Sequence, residues 1–508
     1  MSDTDVIVAG AGPTGLMLAG ELLLAGVRPL VLERRPHLHE SPKANGFSGQ
    51  ILELLRYRGL LNRIEAAAIG PLHTPPHVPF GGMHVGMSHL ADSPLRGAHL
   101  PQPRLERLLG ERTSELGGEI RRGHEVVATD QDDATVTAHV RGPDGPYRVT
   151  APYLVGCDGG RSRIRAMAGI AFPGTTYPEV NRLAEVTVHD SVTLLANGDL
   201  EAPGIGTIEA GFTRTDSGVF AFGSLTGETL LIQTTEDDPA GVDDDAPMTL
   251  TDFRDSIRRV LGADLPLGDV RRLSRYGFQA RQADRYRSGR IFVAGDAAHQ
   301  FPATGIGINF GMLDAVNLAW KLAADIQGWA PAGLLDSYHR ERHFAGARAL
   351  MQTQAQVALR RGEDDAAAAL KALFLELLAD EQPAQRLAAL IAGTDNRYTL
   401  ADPDGHGLTG TFAPDLVLRT DRATTSVAEL MHPARPILLD LAGRPELCAE
   451  AAGSSHVDVH AATTGDRPAD ALLIRPDAHI AWAAGVGEPA ETAVPALRDA
   501  LAAWFGTP

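Results

Sequence analysis

The residues best suited to chemistry lie in three glycine-rich or aspartate-containing motifs, each of which follows a short apolar stretch. They are Gly10–Gly15 (GAGPTG), Cys157–Ser162 (CDGGRS) and Gly295–His299 (GDAAH). In the first motif, glycines allow a tight turn and a close approach of the backbone to a pyrophosphate, and a following helix offers free N–H groups to its charge. This motif predicts a dinucleotide site, and it does not choose between FAD and NAD.

Acidic residues at the ends of strands complete this pattern. Glu33 ends the strand after the first helix, where a carboxylate accepts the ribose hydroxyls of an adenosine. Asp158 and Asp296 each follow an apolar strand beside small residues, where a carboxylate can meet ligand hydroxyls. Either aspartate alone is also consistent with the cap of a helix. The three motifs together are more specific than any one of them.

The elements that would position these motifs follow from the hydrophobic pattern. Residues 5–33 predict a βαβ unit with strand Val6–Ala9, a helix from Pro13 to about Ala25 and a strand from Arg28 to Leu32. The later expectations are a helix at 100–117, a strand meander at 124–155 with a turn at 142–145, a β-rich region at about 175–288 that contains an acidic loop at 236–245, a strand at 291–294, helices at 311–326, 334–361 and 366–379, and alternating elements after 400.

Size and composition narrow the class of protein. A chain of 508 residues that is 44% hydrophobic predicts roughly two or three domains. The net charge of −18 disfavours nucleic acid and anionic membranes as partners. The two cysteines, Cys157 and Cys448, allow neither a disulfide framework nor a CxxC pair. The acidic start and the lack of a long apolar run favour a cytoplasmic protein that does not span a membrane.

The ordered set of motifs resembles the group A flavoprotein monooxygenases, which are related to para-hydroxybenzoate hydroxylase. The likeness is closest to the branch that acts on aromatic polyketides and rifamycins, and it covers about residues 3–350. The residues that carry it are Gly10–Gly15, Glu33-Arg34, Pro101-Gln102, Asp158–Ser162, Gly295–His299 and Asp314–Leu322.

The resemblance implies an α/β fold with three parts. A Rossmann-type FAD-binding domain carries an inserted β-rich substrate domain, and a thioredoxin-like domain without a CxxC follows in a structural or dimer-forming role. The expected bounds are 1–72, 100–175 and 289–365 for the FAD-binding domain, 73–99 and 176–288 for the substrate domain, 366–399 for a helical linker and 400–508 for the C-terminal domain.

The resemblance also implies roles for individual residues. Gly10, Gly12 and Gly15 would hold the FAD pyrophosphate, Glu33 the adenosine ribose, Gln102 the ribityl and flavin region, Asp296 the ribityl hydroxyls, Asp158 both FAD and NADPH, and Arg161 the NADPH phosphates. Further cofactor contacts are expected at Pro13, Thr14, Arg34, Lys43, Pro302, Gly305, Gly307, Ile308 and Asn309. The segment 305–309 opens a helix whose N–H groups would stabilise negative charge on a reduced flavin, or it serves close packing alone.

Three positions depart from the family pattern. Ile306 stands where glutamine is usual, and Lys43 and Gln50 stand where arginine is common. Lysine cannot make the bidentate contacts of arginine. These changes bear on the exchange of the flavin between its "in" and "out" positions.

The implied activity is an NADPH- and O₂-using monooxygenase of secondary metabolism that hydroxylates a polycyclic, polyketide-like aromatic through a flavin C4a-hydroperoxide. No side-chain nucleophile or catalytic base is assigned, and His299 is expected to be a scaffold residue. Baeyer–Villiger oxidation of a polyketide ketone and a non-oxygenating flavin oxidoreductase are alternatives, and a halogenase would show a Trp-x-Trp-x-Ile-Pro segment. The histidines between 73 and 99 lack metal-ligand spacing, so no metal is expected. The substrate and the oligomeric state, including a homodimer, stay open.

Overall fold

The computed structural model describes residues 2–38, 43–226, 229–238, 247–302, 305–399, 405–421 and 423–506. Ser41, Pro42 and most of the predicted acidic loop lie outside the described residues. The chain divides into two compact units, one of residues 1–173 and 281–508 and the other of residues 174–280.

The first part of the larger unit contains the predicted βαβ unit and the strand meander. Its elements are β1 (Val6–Ala9), α1 (Pro13–Leu24), β2 (Pro29–Glu33), β3 (Phe47–Ser48), α2 (Gln50–Arg56), α3 (Leu61–Ala67), β4 (His77–Phe80), β5 (Met83–Gly86), β6 (Gly97–Ala98), α4 (Gln102–Glu115), β7 (Glu119–Arg122), β8 (Glu125–Gln131), β9 (Val136–Gly142), β10 (Gly145–Ala151), β11 (Tyr153–Gly156) and α5 (Arg163–Met167).

The smaller unit is mostly antiparallel sheet. Its elements are β12 (Gly174–Thr187), β13 (Thr193–Leu194), β14 (Leu200–Ala202), β15 (Gly206–Ile208), β16 (Gly211–Thr215), β17 (Gly218–Thr226), β18 (Thr229–Asp237), α6 (Leu250–Leu261) and β19 (Val270–Gln282), whose last two residues belong to the larger unit. The main sheet runs β16-β17-β18-β12-β19, and one face of it packs Phe220 and Ile232 with Phe253 of α6.

The larger unit resumes after residue 280. Its remaining elements are β20 (Arg287–Ser288), β21 (Ile291–Val293), a 3₁₀ turn (Gly295–Ala297), β22 (His299–Gln300), α7 (Ile306–Ile326), α8 (Leu334–Arg361), α9 (Asp365–Leu377), α10 (Glu381–Ala392), β23 (Val417–Arg419), β24 (Thr424–Ser426), α11 (Val427–Leu430), β25 (Ile437–Asp440), α12 (Pro445–Ala452), β26 (Asp458–Ala461), β27 (Ala471–Ile474), β28 (Ile480–Ala484) and α13 (Ala490–Phe505).

The sheet of the larger unit explains why the three motifs can meet. Its order is β20-β21-β11-β1-β2-β7, and all neighbours from β21 to β7 are parallel. Strands β1, β11 and β21 are fully buried, as their continuous apolar runs require in a parallel sheet. Parallel strands place their carboxyl ends at one edge, where ligands bind. The predicted Rossmann-type fold is confirmed.

The C-terminal domain, which we define as residues 405–506, has a four-stranded sheet of order β26-β25-β27-β28. Strand β25 is parallel to β26 and antiparallel to β27, and helix α13 follows β28, which is the thioredoxin-like arrangement that was predicted. Its apolar residues share hydrophobic clusters with the FAD-binding region, and Trp320 of α7 packs against Trp504 and Phe505. The predicted domain boundaries stay predictions.

The structure gives the bounds of three segments that were expected only approximately. Helix α7 begins at Ile306, directly after left-handed Gly305 (φ 84°), so the segment expected to open a helix is its first turn. The segment expected as a helical linker contains the two helices α9 and α10. Residues 73–99 carry the β4–β5 hairpin, which packs on α8 and α10 of the larger unit, so their place in a substrate domain stays a prediction. None of the described helices has the length and apolarity needed to cross a membrane.

Candidate cofactor site

The first motif forms the turn between β1 and α1, and its glycines differ in what surrounds them. A Cβ on Gly10 (φ 109°) would lie 2.4 Å from the Cys157 carbonyl oxygen, and a Cβ on Gly15 would lie 2.0 Å from the Gly10 carbonyl oxygen. A Cβ on Gly12 would meet nothing within 4 Å. The outer glycines are therefore required by packing, whereas the middle one leaves open space over the backbone, as the approach of a pyrophosphate needs.

The three motifs converge at the carboxyl edge of the sheet. Gly10 packs directly on the backbone of Cys157 and Asp158 at the end of β11. The Thr14 side chain fills the space beside two other glycines, since a Cβ on Gly295 or Gly311 would lie 2.6 or 2.5 Å from the Thr14 hydroxyl oxygen. Segments almost 300 residues apart in sequence thus form one continuous surface.

Glu33 lies at the end of β2 and faces the glycine-rich turn. Its carboxylate accepts hydrogen bonds from the Ala11 N–H at 2.8 Å and from the Arg35 N–H at 2.8 Å. A carboxylate has about four lone-pair directions, so it can accept further bonds from ribose hydroxyls. Pro13 starts α1, and Arg34, the residue after Glu33, is exposed.

Gln102 begins α4, and both its backbone N–H and its side-chain amide form hydrogen bonds. Its N–H donates to the Ala44 carbonyl at 2.9 Å, and its side-chain amide donates to Glu106 at 2.7 Å. Burial raises the pKa of Glu106, and the bond from Gln102 opposes that rise. Sequence analysis missed Glu106, although its position one helical turn after Gln102 was a signal for this contact.

Asp158 follows β11, and its carboxylate binds the first N–H groups of the short helix α5, whose N-cap residue is Ser162. Its carboxylate accepts hydrogen bonds from the Ser162 hydroxyl and, at 2.8 Å, from the Arg163 N–H. The alternative that this aspartate caps a helix is therefore what the described contacts show, and its role toward FAD or NADPH stays a prediction. Arg161 lies exposed on the same loop.

Asp296 follows β21 and lies in a cleft. Desolvation raises the pKa of Asp296 against the opposing charges of His299 and Lys43, yet its side chain is exposed to solvent. A carboxylate that is both desolvated and accessible lines a recess that a ligand can fill. A Cβ on Gly307 would lie 3.3 Å from an Asp296 carboxylate oxygen, so this recess adjoins the first turn of α7.

The start of α7 supplies unpaired polar groups beside Asp296. Gly305 precedes the helix, and no side chain of the described residues caps the first N–H groups of α7. The side-chain oxygen of Asn309 is buried and has no hydrogen-bond partner among the described residues. Pro302 and Ile306 are buried and Ile308 is half-buried, which frames this first turn with apolar surface.

These features fit a flavin dinucleotide. The open backbone at Gly12 and Glu33 suit its adenosine diphosphate half, while Asp296 and the N-terminus of α7 suit its ribityl and ring half. An orphaned buried oxygen at Asn309 is a further sign that a ligand completes the site. The fold and the site together define an FAD-binding protein.

A buried carboxylate that sequence analysis did not assign holds the turn of Asp296. Asp314 of α7 accepts hydrogen bonds from the Gly295 N–H at 2.9 Å, from His299 Nε2 at 2.7 Å and from Arg342 Nε at 2.7 Å. Burial alone would raise the pKa of Asp314, but His299 and Arg342 outweigh burial and lower it. His299 is fully buried, which agrees with the scaffold role expected for it.

The departures from the family pattern lie in different places. The charge of Lys43 opposes the rise in the pKa of Asp296, so this lysine lies on the same side of the molecule as that carboxylate. Gln50 is buried with its amide nitrogen 3.5 Å from His479 Nε2 of the C-terminal domain. Gln50 therefore lies at the contact with that domain.

Other chemistry is not evident in the described part of the chain. No group of three or more His, Cys, Asp or Glu side chains there is placed to hold a metal ion. Cys157 and Cys448 are both free thiols. Desolvation raises the pKa of the Cys157 thiol well above its usual range, so it stays protonated.

Comparisons with known proteins agree with the site. Residues 3–353 match the FAD binding domain family, and residues 406–508 match the family of aromatic-ring hydroxylase C-terminal domains. The chain is 41% identical over 514 residues to a 12-dehydrotetracycline 5-monooxygenase/anhydrotetracycline 6-monooxygenase of Streptomyces rimosus, covering 99% of each. It is 38% identical over 509 residues to a rifampicin monooxygenase of Streptomyces venezuelae, covering 99% of this chain and 98% of that relative.

A solved structure extends this likeness to three dimensions. The anhydrotetracycline hydroxylase from Streptomyces rimosus superposes with a TM-score of 0.88 at 39% identity, covering 99% of both chains. The chain belongs to the FAD-binding aromatic-ring hydroxylases, and it is a flavin-dependent monooxygenase. The resemblance inferred from the motifs is confirmed.

Proposed function

We propose that this monooxygenase hydroxylates an electron-rich polycyclic aromatic of the polyketide type, using NADPH and O₂, in the biosynthesis of an antibiotic. The observation that carries the proposal is identity of 41% across 99% of the chain with a monooxygenase of tetracycline precursors. The convergence of the three motifs around one cleft supports it, because residues proposed to bind the cofactor come from all three motifs.

The residues of the cleft would bind the cofactor and set its charge. Glu33 and the turn at Gly12 would bind the adenosine diphosphate half, and Asp296 would bind the ribityl chain. The first N–H groups of α7 form the positive end of the helix dipole. They would stabilise negative charge on a ligand group that lies beside Gly307. When bound, FAD supplies the redox and oxygen-transfer chemistry, by the hydroperoxide route that the family resemblance implies.

The protein's remaining task is to orient the substrate and exclude water. The buried polar side chains behind the cleft are hydrogen-bonded to one another, since Asp314 accepts bonds from His299 and Arg342. This mutual hydrogen bonding agrees with a reaction that needs no side-chain nucleophile. The proposal includes a cytoplasmic location and a homodimer.

The chemical identity of the reaction product tests the proposal. Purified protein with FAD, NADPH and O₂ would be given anhydrotetracycline-type phenols and matched polycyclic ketones, and the products would be analysed by LC–MS and NMR. A ring hydroxyl on a phenol is the expected result. A lactone from the ketone would show that the reaction is Baeyer–Villiger oxidation and not hydroxylation. An isomer of unchanged mass would overturn the oxygenase proposal.

A further inference from the structure

The turn that carries Asp296 is bound from behind by the buried carboxylate of Asp314. Gly295 adopts a left-handed conformation (φ 63°), and its N–H donates to Asp314 at 2.9 Å. The Asp314 side chain is fully buried, so water does not compete for its hydrogen bonds. The position of Asp296 relative to α7 therefore depends on where Asp314 is held.

Arg342 of α8 connects Asp314 to a tyrosine. Its Nε donates to Asp314 at 2.7 Å, and its Nη1 donates to the Tyr398 hydroxyl at 2.9 Å. Arg342 and Tyr398 are 2% and 3% exposed, so a lost bond would leave a buried charged donor unpaired. Burial raises the pKa of Tyr398 to about 12, so the phenol is neutral at physiological pH and can accept this bond.

Tyr398 is anchored on the C-terminal domain. Its backbone N–H donates to the Gly410 carbonyl at 2.9 Å. Its ring stacks on His479 at 4.4 Å between centroids, and His479 Nδ1 lies 3.0 Å from the Asp477 carbonyl oxygen. The tyrosine thus joins the C-terminal domain to the hydrogen-bond chain that ends at Gly295.

A second buried connection fixes the same elements. Asn317 of α7 donates to Glu341 of α8 at 2.7 Å and to Asp477 at 2.8 Å. Arg475 donates to Glu341 at 2.8 Å, which ties the C-terminal domain to α8 again. Asp314 and Asn317 are three residues apart on one face of α7, so both connections act on the same side of this helix.

We infer that the C-terminal domain positions the flavin-binding turn at Gly295–Asp296 through Tyr398, Arg342 and Asp314. The inference rests on the proposed use of Asp296 as a cofactor ligand. It gives this thioredoxin-like domain a task that needs no CxxC. Because the connection consists of directional hydrogen bonds between buried groups, removing one hydroxyl changes where Asp296 lies without removing any contact to the cofactor.

The test compares two tyrosines that bond between the same two regions. Y398F removes the acceptor of Arg342, whereas Y57F removes a buried hydroxyl that donates to Ala413 of the C-terminal domain at 2.8 Å and has no described hydrogen bond to the Asp314 chain. The apoprotein of each full-length variant would be titrated with FAD by flavin fluorescence. The flavin absorption spectrum, its midpoint potential and the urea midpoint of the apoprotein would be recorded as well.

Y398F is expected to weaken FAD binding about tenfold and to shift the flavin spectrum and potential, while Y57F leaves all three near wild type. Both are expected to lower the urea midpoint of the apoprotein. R342K is the second variant, since lysine keeps the charge but cannot span Asp314 and Tyr398 together, and it should behave as Y398F does.

Equal effects of Y398F and Y57F on FAD affinity, spectrum and potential would overturn the inference and leave the domain a stabilising role only. The measurements use neither NADPH nor substrate. A failure of the proposed hydroxylation therefore leaves this result readable, and FAD binding that fails in the wild type would count against the proposed function instead.

Discussion

Two polar regions of the larger unit differ in whether their polar side chains have hydrogen-bond partners. In the cofactor cleft, the Asp296 side chain stays accessible and the Asn309 oxygen has no described partner. In the cluster behind it, which consists of Asn317, Lys321, Glu341, Arg475 and Asp477, each charged group pairs with a neighbour at 2.5 to 3.0 Å. The accessible Asp296 and the unpaired Asn309 oxygen are thus placed for a ligand to complete, whereas the mutually paired cluster is scaffold.

The largest predicted effect comes from breaking the paired cluster. E341Q removes the carboxylate shared by Lys321 and Arg475, and it leaves two buried cations short of a partner. The free energy of unfolding should fall by about 3–5 kcal/mol, measured by urea denaturation. The matched control is E450Q, whose partner Arg498 is largely exposed, and it should cost at most about 1 kcal/mol. Equal losses in the two variants would contradict the scaffold role of the cluster.

The same cluster predicts the direction of acid destabilisation. Burial opposes ionisation of Glu341, but Arg475 and Lys321 outweigh burial and lower its pKa from 4.5 to about 2. The unfolded chain then binds more protons between these values, so the stabilisation is complete above pH 4.5 and is lost as pH falls toward 2. The loss from this group is about 3 kcal/mol.

E341Q should therefore flatten the fall of stability with acid without abolishing it, because neighbouring cations also lower the pKa values of Asp314 and Asp477. Urea midpoints of wild type and variant at several pH values between about 5 and 3 measure this difference. Parallel curves for the two proteins would show that Glu341 does not titrate as its buried position implies.

A substitution in the cleft should weaken FAD binding and should not lower the stability of the apoprotein. D296A should weaken FAD binding about tenfold or more, because charged hydrogen bonds to the ribityl chain are lost. The apoprotein should be as stable as wild type or more so, because desolvation raises the pKa of Asp296 and its charge is unfavourable without a ligand. Flavin titration and urea denaturation of one preparation measure both quantities. A variant that lost stability but kept its FAD affinity would place Asp296 in the scaffold.

A large part of this organisation follows from the sequence, and the missing part has a physical reason. The βαβ unit and the three motifs were predictable because each is a local pattern of apolar runs, glycines and acids. The cluster was not, since Lys321 and Glu341 look like ordinary charged residues of long helices, and Arg475 and Asp477 lie more than 130 residues further along. Asp158 shows a different limit, because one local pattern suits a helix cap and a ligand equally.

The smallest predicted effect concerns the reductant. R161A should raise the KM for NADPH about tenfold with little change in kcat, because a charged contact to a phosphate is worth about 1.5–3 kcal/mol. R163A is the control, since it removes a neighbouring arginine that pairs with Glu125. Steady-state oxidation of NADPH measures both variants. Indistinguishable KM values would remove Arg161 from the predicted nucleotide site.

The central claim is that the cleft supports oxygen transfer to a polycyclic aromatic, and isotopic labelling tests it most directly. The purified holoenzyme would turn over an anhydrotetracycline-type phenol with NADPH under ¹⁸O-labelled dioxygen, and mass spectrometry would locate the label. The account predicts one labelled oxygen atom in a new ring hydroxyl of the product. Reduction of the flavin with no labelled oxygen in any product would contradict it.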